Sequence, residues 1–325
     1  MKNDLPLCSF SLDLDNLWTY LKTHGNPVWQ DYPTYLPKVV PIILDTLAEQ
    51  GLTVTFFMVG KDWENPDNRP HLKALAAAGH QLGNHTYHHD PWLHLLERDE
   101  IEREIRQTGE IISGLQGKPP IGFRGPGFSW SAALLEVLAE NGYLYDGSSL
   151  PTFLAPLARA YFLKKSNFTA EERRKRKKLF GGFADGFRPI KPYLLPGKNG
   201  TLLEIPVTTM PFFKVPFHFS YLLYLAGYSE MVMKWYLEMA LLLCRWQGVE
   251  PSFLLHPLDF IGPEDAPGLQ FFPGMGMSGE RKRHLFQNVV HQIRRRFQIV
   301  SLDEFFMKIS NKQPFRKIVG ERQFD

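Results

Sequence analysis

A chain of 325 residues, 44% of them hydrophobic, can bury a large core, which excludes a disordered polypeptide. Lysine and arginine number 37 against 34 aspartates and glutamates, and the formal charge of +3 is too small to point to nucleic acid as a partner. The two cysteines, Cys8 and Cys244, lie far apart in sequence and suggest neither a disulfide framework nor a cysteine-held zinc site, so a reducing compartment is expected.

The chain opens on MKNDLPLCSFSLDLDN, with acidic residues where a secretory signal needs an apolar run, so a cytoplasmic protein is expected. LCSFSLDLD alternates in the manner of a strand and puts Asp13 and Asp15 on one face. A helical pattern over residues 36–50 ends at Gly51, and LTVTFFMVG then reads as a buried strand, giving β-α-β at the outset. The alternation continues with a helix over 71–78, the strand GHQLGNHT, a charged helix over 98–115, the short strand IGFRGP, a helix over 131–140 and a strand at YLYDGSS. Beyond an irregular stretch come the strand LLEIPVTT, a helix over 230–245, the strand PSFLLHP, a helix over 279–296, and FQIVSLDEFF running into a last helix.

Strand and helix alternating throughout predict an α/β fold. About seven such units, with chemically capable residues at strand ends, favour an irregular (β/α) barrel of parallel strands. One catalytic domain over 1–325 is expected, with residues 151–200 as an insertion or small subdomain, because proline, glycine and the basic run RRKRKK (173–178) break the rhythm. The most apolar region, 211–246, is interrupted by Lys214, His218, Glu230, Lys234 and Glu238, short of the roughly 20 apolar residues a transmembrane span requires. For VPFHFSYLLYLAG (215–227) two readings stay open, burial in the core and a surface resting on a membrane or lining a lipid site.

NHTYHHD (84–90) places His85 and His89 four residues apart, the spacing that would bring two imidazoles to one face of a helical turn and allow a carboxylate from elsewhere to complete a metal site. A surface or core histidine cluster is the competing reading of these residues alone. Asp13 and Asp15 end the first strand, where parallel α/β folds set reactive groups, and two carboxylates there repel unless a cation relieves them or one takes a proton. A helix cap or a solvated pair is the structural alternative.

In order along the chain, SLDLDN (11–16), HTYHH (85–89), FRGPGF (123–128), DGS (146–148) and LLHP (254–257) together resemble the polysaccharide deacetylases, carbohydrate esterase family 4, in the branch with an Asp-x-Asp motif. The resemblance implies that Asp15, His85 and His89 hold a divalent metal, zinc foremost, with cobalt, nickel or manganese as substitutes. It further implies Asp13 as general base with Arg124 orienting it, and His256 as general acid with Asp146 orienting it. The Gly127 backbone N–H would serve the oxyanion, and Leu254 would line the acyl pocket. Two departures from the family pattern bear on the pocket. Gly147 stands where an aromatic often follows the aspartate, and Gly127 replaces a larger residue, so the pocket is either wider or closed by other side chains.

The activity implied is removal of an N-acetyl or N-formyl group from an amino sugar in a cell-envelope polysaccharide or a lipid-linked saccharide intermediate. Hydrolysis of a non-sugar linear amide, or saccharide binding without catalysis, are the alternatives. The apolar stretch and the basic run suggest contact with the inner face of a membrane, against the plainer reading of a solvated loop.

Overall fold

The computed structural model describes residues 5–164, 168–177, 179, 181–197, 200–266, 268–270, 272, 274–310 and 315–317. Its strands are β1 (Leu7–Asp13), β2 (Thr55–Met58), β3 (Gln81–Asn84), β4 (Gly122–Phe123), β5 (Tyr145–Asp146), β6 (Tyr193–Gly197), β7 (Gly200–Glu204), β8 (Ser252–Leu255), β9 (Gln298–Ser301) and β10 (Arg316–Lys317). They form one sheet in the order β10-β6-β7-β5-β4-β3-β2-β1-β8, with β9 joined to β1. Among the described strands only β6 and β7 pair antiparallel, beside an isolated antiparallel bridge between Thr209 and Pro216. The architecture is a curled, mostly parallel half-barrel, with ten strands where the sequence suggests about seven.

β1 organises the sheet. Residues 7–10 pair with β9, 9–12 with β8 and 11–13 with β2, so the strand is buried along its whole length. Its apolar face turns Phe10 onto Phe253 of β8, ring centroids 5.0 Å apart, beneath helices Leu36–Glu49, Phe219–Ala226 and Gly279–Arg294. Its other face carries Ser9, Ser11 and Asp13 towards the interior of the curl. Phe217, Phe219, Leu222, Leu223 and Ala226 are buried, so the stretch 215–227 belongs mainly to the core.

The interruption at 151–200 contains helices Ala155–Lys164 and Ala170–Lys175, a 3-10 turn Phe183–Phe187 and then β6. The basic run within it is not wholly solvated. Arg176 is buried and donates from Nε to the Thr23 carbonyl (3.1 Å) and from Nη2 to the Lys22 carbonyl (3.0 Å). It thereby serves the orphan carbonyls at the end of helix Leu17–His24, where a cation is favoured. Arg173, Arg174 and Lys177 are exposed, while Lys178 lies outside the described residues.

Candidate active site

Five sheet strands deliver the chemistry from one end. Asp13 and Asp15 leave β1, His85 and His89 follow β3, Arg124 follows β4, Asp146 closes β5 and His256 follows β8. Asp13, Asp15, His85, His89, Gly127 and His256 all line one cavity of ≈ 450 Å³.

Asp15, His85 and His89 each aim one ligand atom at a common point, all within 4.8 Å of one another. Asp15 Oδ1 lies 2.8 Å from His89 Nε2 and 3.5 Å from His85 Nε2. The His85 Nδ1–H donates to the Arg124 carbonyl (2.6 Å), which fixes the tautomer and leaves the Nε2 lone pair facing Asp15. Asp15 Oδ1 is buried against these two ring nitrogens. A buried carboxylate oxygen facing two imidazole Nε2 atoms is a donor set that suits a divalent metal. Burial pushes the Asp15 carboxyl up, but the charges and hydrogen bonds of His89 and His85 outweigh it and hold the group well below the usual carboxylate range. Burial pulls both imidazoles down. At His85 the Asp15 hydrogen bond and the two aspartate charges win and raise it, whereas at His89 burial prevails.

The two histidines do not sit on a helical turn, as their spacing suggests. HTYHH is a loop in which Thr86 (φ 64°) and His89 (φ 50°) adopt left-handed backbone, unusual for non-glycine residues and most so for a β-branched one. The surroundings hold it there. Glu104 Oε2 accepts from the backbone N–H of Tyr87 (2.9 Å) and of His88 (2.8 Å), and its Oε1 meets His88 Nδ1 at 2.6 Å. Asn84 Oδ1 accepts from Thr86 N–H, Thr86 Oγ1 accepts from His89 N–H, and Lys22 pairs with Asp90 at 2.6 Å. His88, between the two cavity-facing rings, therefore points away from the cavity.

Arg124 is fully buried and donates from Nη1 to Asp13 Oδ1 (2.8 Å) and Ser11 Oγ (2.9 Å), and from Nε to the Gly147 carbonyl (2.9 Å). This is the Asp13–Arg124 pairing anticipated from sequence. Gly147 has its reason here, because a Cβ would stand 3.1 Å from Arg124 Nη2. At Gly127 (φ 59°) a Cβ would meet Leu179 at 2.9 Å and Pro91 at 3.2 Å. The missing side chain is thus replaced by Leu179 from the insertion, and the pocket is closed rather than widened.

Two expectations require correction. Asp146 does not serve His256. Its Oδ1 accepts from Ser148 Oγ and N–H, and the carboxyl is hydrogen-bonded to buried Glu204. Burial raises both carboxyls, with the charge of Asp146 second at Glu204. His256 instead sits 3.1 Å from Ser220 Oγ and 3.8 Å from Asp259 Oδ2, both through Nδ1. Ser220 donates to Asp259 Oδ1 (2.8 Å), so it accepts the Nδ1 proton and relays between ring and carboxylate. Leu254, the second correction, is buried behind the wall with Val207 and Leu150, and of these Leu150 faces the cavity. Ser220, Asp259 and Glu104 escaped the sequence reading. The three-residue spacing of His256 and Asp259 was a visible signal, but nothing in the sequence brings helix Phe219–Ala226 against it.

A model of the family described as "Polysaccharide deacetylase" matches residues 23–145, which include His85, His89 and Arg124. A peptidoglycan-N-acetylglucosamine deacetylase of Bacillus cereus is 40% identical over 90 residues, 27% of this chain and 31% of that protein. A peptidoglycan deacetylase of Helicobacter pylori is 26% identical over 157 residues, 46% of this chain and 52% of that protein. A chitin deacetylase of a Pestalotiopsis species is 32% identical over 111 residues, 34% of this chain and 37% of that protein. The chain thus spans about a third to a half of the length of these curated relatives. In fold, a candidate polysaccharide deacetylase from Mycobacterium smegmatis aligns over 98% of this chain and 96% of its own, with a TM-score of 0.61 at 18% identity. Residues 23–145 thus match the polysaccharide deacetylase family, and the chain as a whole shares the fold of the Mycobacterium smegmatis protein.

Proposed function

We propose that this protein removes an N-acyl group from an amino sugar, using a divalent metal held by Asp15, His85 and His89. One observation carries the reading: the Asp15–His85–His89 cluster, the Asp13–Arg124 pair and His256 open onto the same cavity. Relatives named for peptidoglycan and chitin deacetylation support an N-acetylated saccharide as substrate. Zinc suits the imidazole and carboxylate donors, and cobalt, nickel or manganese suit them too.

When bound, the ion supplies Lewis acidity at the acyl carbonyl and makes water more acidic. Asp13, held by Arg124 at 2.8 Å, takes the proton of the attacking water. The Gly127 N–H donates to the oxygen on which charge develops. His256 delivers a proton through Nε2 to the departing nitrogen, with its Nδ1–H anchored on Ser220 and Asp259. Tyr20, Leu150, Ala155, Leu179, Leu223 and Leu258 give the cavity an apolar wall, which supports a saccharide linked to an apolar chain over a bare oligosaccharide.

The test measures bound metal per chain and amine release from N-acetyl and N-formyl amino sugars, beside a linear non-sugar amide. His85→Ala is expected to lose metal and activity together. Asp13→Asn should keep the metal and lose about 10²- to 10⁴-fold in turnover. Full metal retention in His85→Ala, or faster cleavage of the linear amide than of any sugar, would overturn the reading.

A further inference from the structure

Helix Glu230–Gln247 is apolar on two faces. Met233, Leu237, Ala240, Leu241 and Cys244 point inward and are buried in the core. Met231, Trp235, Met239, Leu242 and Trp246, spaced by four, four, three and four residues, form a stripe on the opposite side, and all five are exposed. Trp235 is 74% exposed and Trp246 is 73% exposed. Single exposed apolar residues are ordinary on a protein surface. A stripe roughly 20 Å long, with a tryptophan towards each end, lies outside the core and is the kind of face on which a partner docks.

Neighbouring elements extend it. At the far end, Phe212 and Phe213 are exposed on a tight loop in which Phe212 (φ 68°) and Lys214 (φ 52°) adopt left-handed backbone, and the Phe212 ring lies 5.6 Å from that of Trp246. At the near end, Tyr228 stacks edge-on with Tyr224, and their hydroxyls are 3.1 Å apart. Tyr224 also lines the cavity that holds Asp13, Asp15 and His256. Tyr224 and Tyr228 thus lie between the cavity and the start of the helix that bears the stripe.

Charge identifies the occupant. The carboxylates of this helix are neutralised: Glu230 pairs with Arg281 at 2.9 Å, and Glu238 pairs with Arg296. Lys234 and Arg245 remain exposed along one flank of the stripe, with Lys191 Nζ near the helix end at Gly248. Aromatic and thioether side chains flanked by basic ones match the interface of an anionic bilayer, where tryptophan and tyrosine settle at headgroup depth. No helix among the described residues is long and apolar enough to cross a membrane, so the helix would lie in the interface plane. We infer that this face docks the protein on an anionic lipid bilayer, with the cavity mouth beside the membrane surface. The inference does not depend on the proposed chemistry.

The experiment co-sediments the full chain with vesicles of phosphatidylcholine alone or mixed with phosphatidylglycerol. Wild type should bind the mixed vesicles. The Trp235→Ser/Trp246→Ser double variant should partition at least about tenfold more weakly, with unchanged thermal unfolding and unchanged hydrolysis of a water-soluble substrate. Met231→Ser/Met239→Ser provides a second reading of the same face if the tryptophan variant does not fold. Lys234→Glu/Arg245→Glu should remove the preference for phosphatidylglycerol. Absence of wild-type binding, or binding that neither apolar variant weakens, overturns the inference. So does a wild-type dimer that ignores vesicles and dissociates in those variants, because a second copy would then be the occupant.

Discussion

At the scale of single residues, His256, the proposed proton donor, is positioned by Ser220 and Asp259 rather than by Asp146. Asp259 is buried, and burial raises its carboxyl, with the neighbouring His256 charge as the main opposing influence. Its carboxylate also accepts the His256 backbone N–H at 2.8 Å, so one group fixes both the ring and the chain that carries it. Asp259→Asn is expected to lower turnover about ten- to hundredfold and Ser220→Ala about tenfold, with little change in bound metal. The discriminating readout is leaving-group dependence. A substrate whose amine leaves without protonation should recover most of the loss, whereas a merely structural defect would slow both substrates alike.

Asp62 provides a second prediction at this scale. It is buried next to the site, with Oδ1 accepting from Asn16 Nδ2 (2.7 Å) and Trp18 Nε1 (2.8 Å), and burial pushes its carboxyl up to about 7. A carboxyl raised in the fold binds its proton more tightly there than in the unfolded chain. Its stabilising contribution is complete below the unfolded value of about 4 and disappears as pH rises through about 7. With chelator present to remove any metal, urea midpoints of wild type should therefore fall between pH 4 and 7 relative to those of Asp62→Asn, by the equivalent of about 1 kcal/mol or more. Parallel curves for the two proteins would show that Asp62 keeps its ordinary titration.

At the scale of elements, the HTYHH loop depends on helix Arg98–Gln116, whose Glu104 gathers two backbone N–H groups and His88. Removing that carboxylate leaves buried donors unpaired and frees a backbone held at positive φ. Glu104→Ala should weaken metal binding about 10- to 100-fold without touching a ligand, measured by competition with a chromophoric chelator. Glu104→Gln, which keeps one acceptor oxygen, should fall between. An unchanged affinity in Glu104→Ala would mean that Asn84 and the Lys22–Asp90 pair suffice.

Elements also show what the sequence could disclose. The strand LCSFSLDLD and the helices over 36–50 and 98–115 have strong periodicity, and β1, Leu36–Glu49 and Arg98–Gln116 follow them closely. That Asp15, His85 and His89 come together was legible from the motif blocks and their placement after strands. The helical geometry assigned to HTYHH was not obtained, since spacing alone cannot distinguish a helical turn from a loop braced by distant side chains. Likewise β6 was obscured by its own Pro196 and Gly197, whereas β7 overlaps the strand read at LLEIPVTT. The partner of His256 depends on a tertiary contact with Ser220 that has no local signature.

For the whole molecule, the candidate ligands join two parts of the chain. Asp15 leaves the central strand β1, where Tyr35 donates its hydroxyl to the Asp15 carbonyl, and the two histidines belong to the loop after β3. An ion at that junction binds the folded chain and finds no assembled site in the unfolded one. It should therefore stabilise the fold by RT ln(1 + [L]/Kd), about 2.7 kcal/mol when the free metal is a hundred times its Kd. Added zinc should accordingly raise the thermal midpoint of chelated protein by several degrees. His89→Ala should abolish that rise. Asp13→Asn should retain the rise, since Asp13 is engaged by Arg124 rather than by the trio. If zinc shifted wild type and His89→Ala equally, the ion would be binding elsewhere, and Asp15, His85 and His89 would have to be explained as a buried ion-pair cluster.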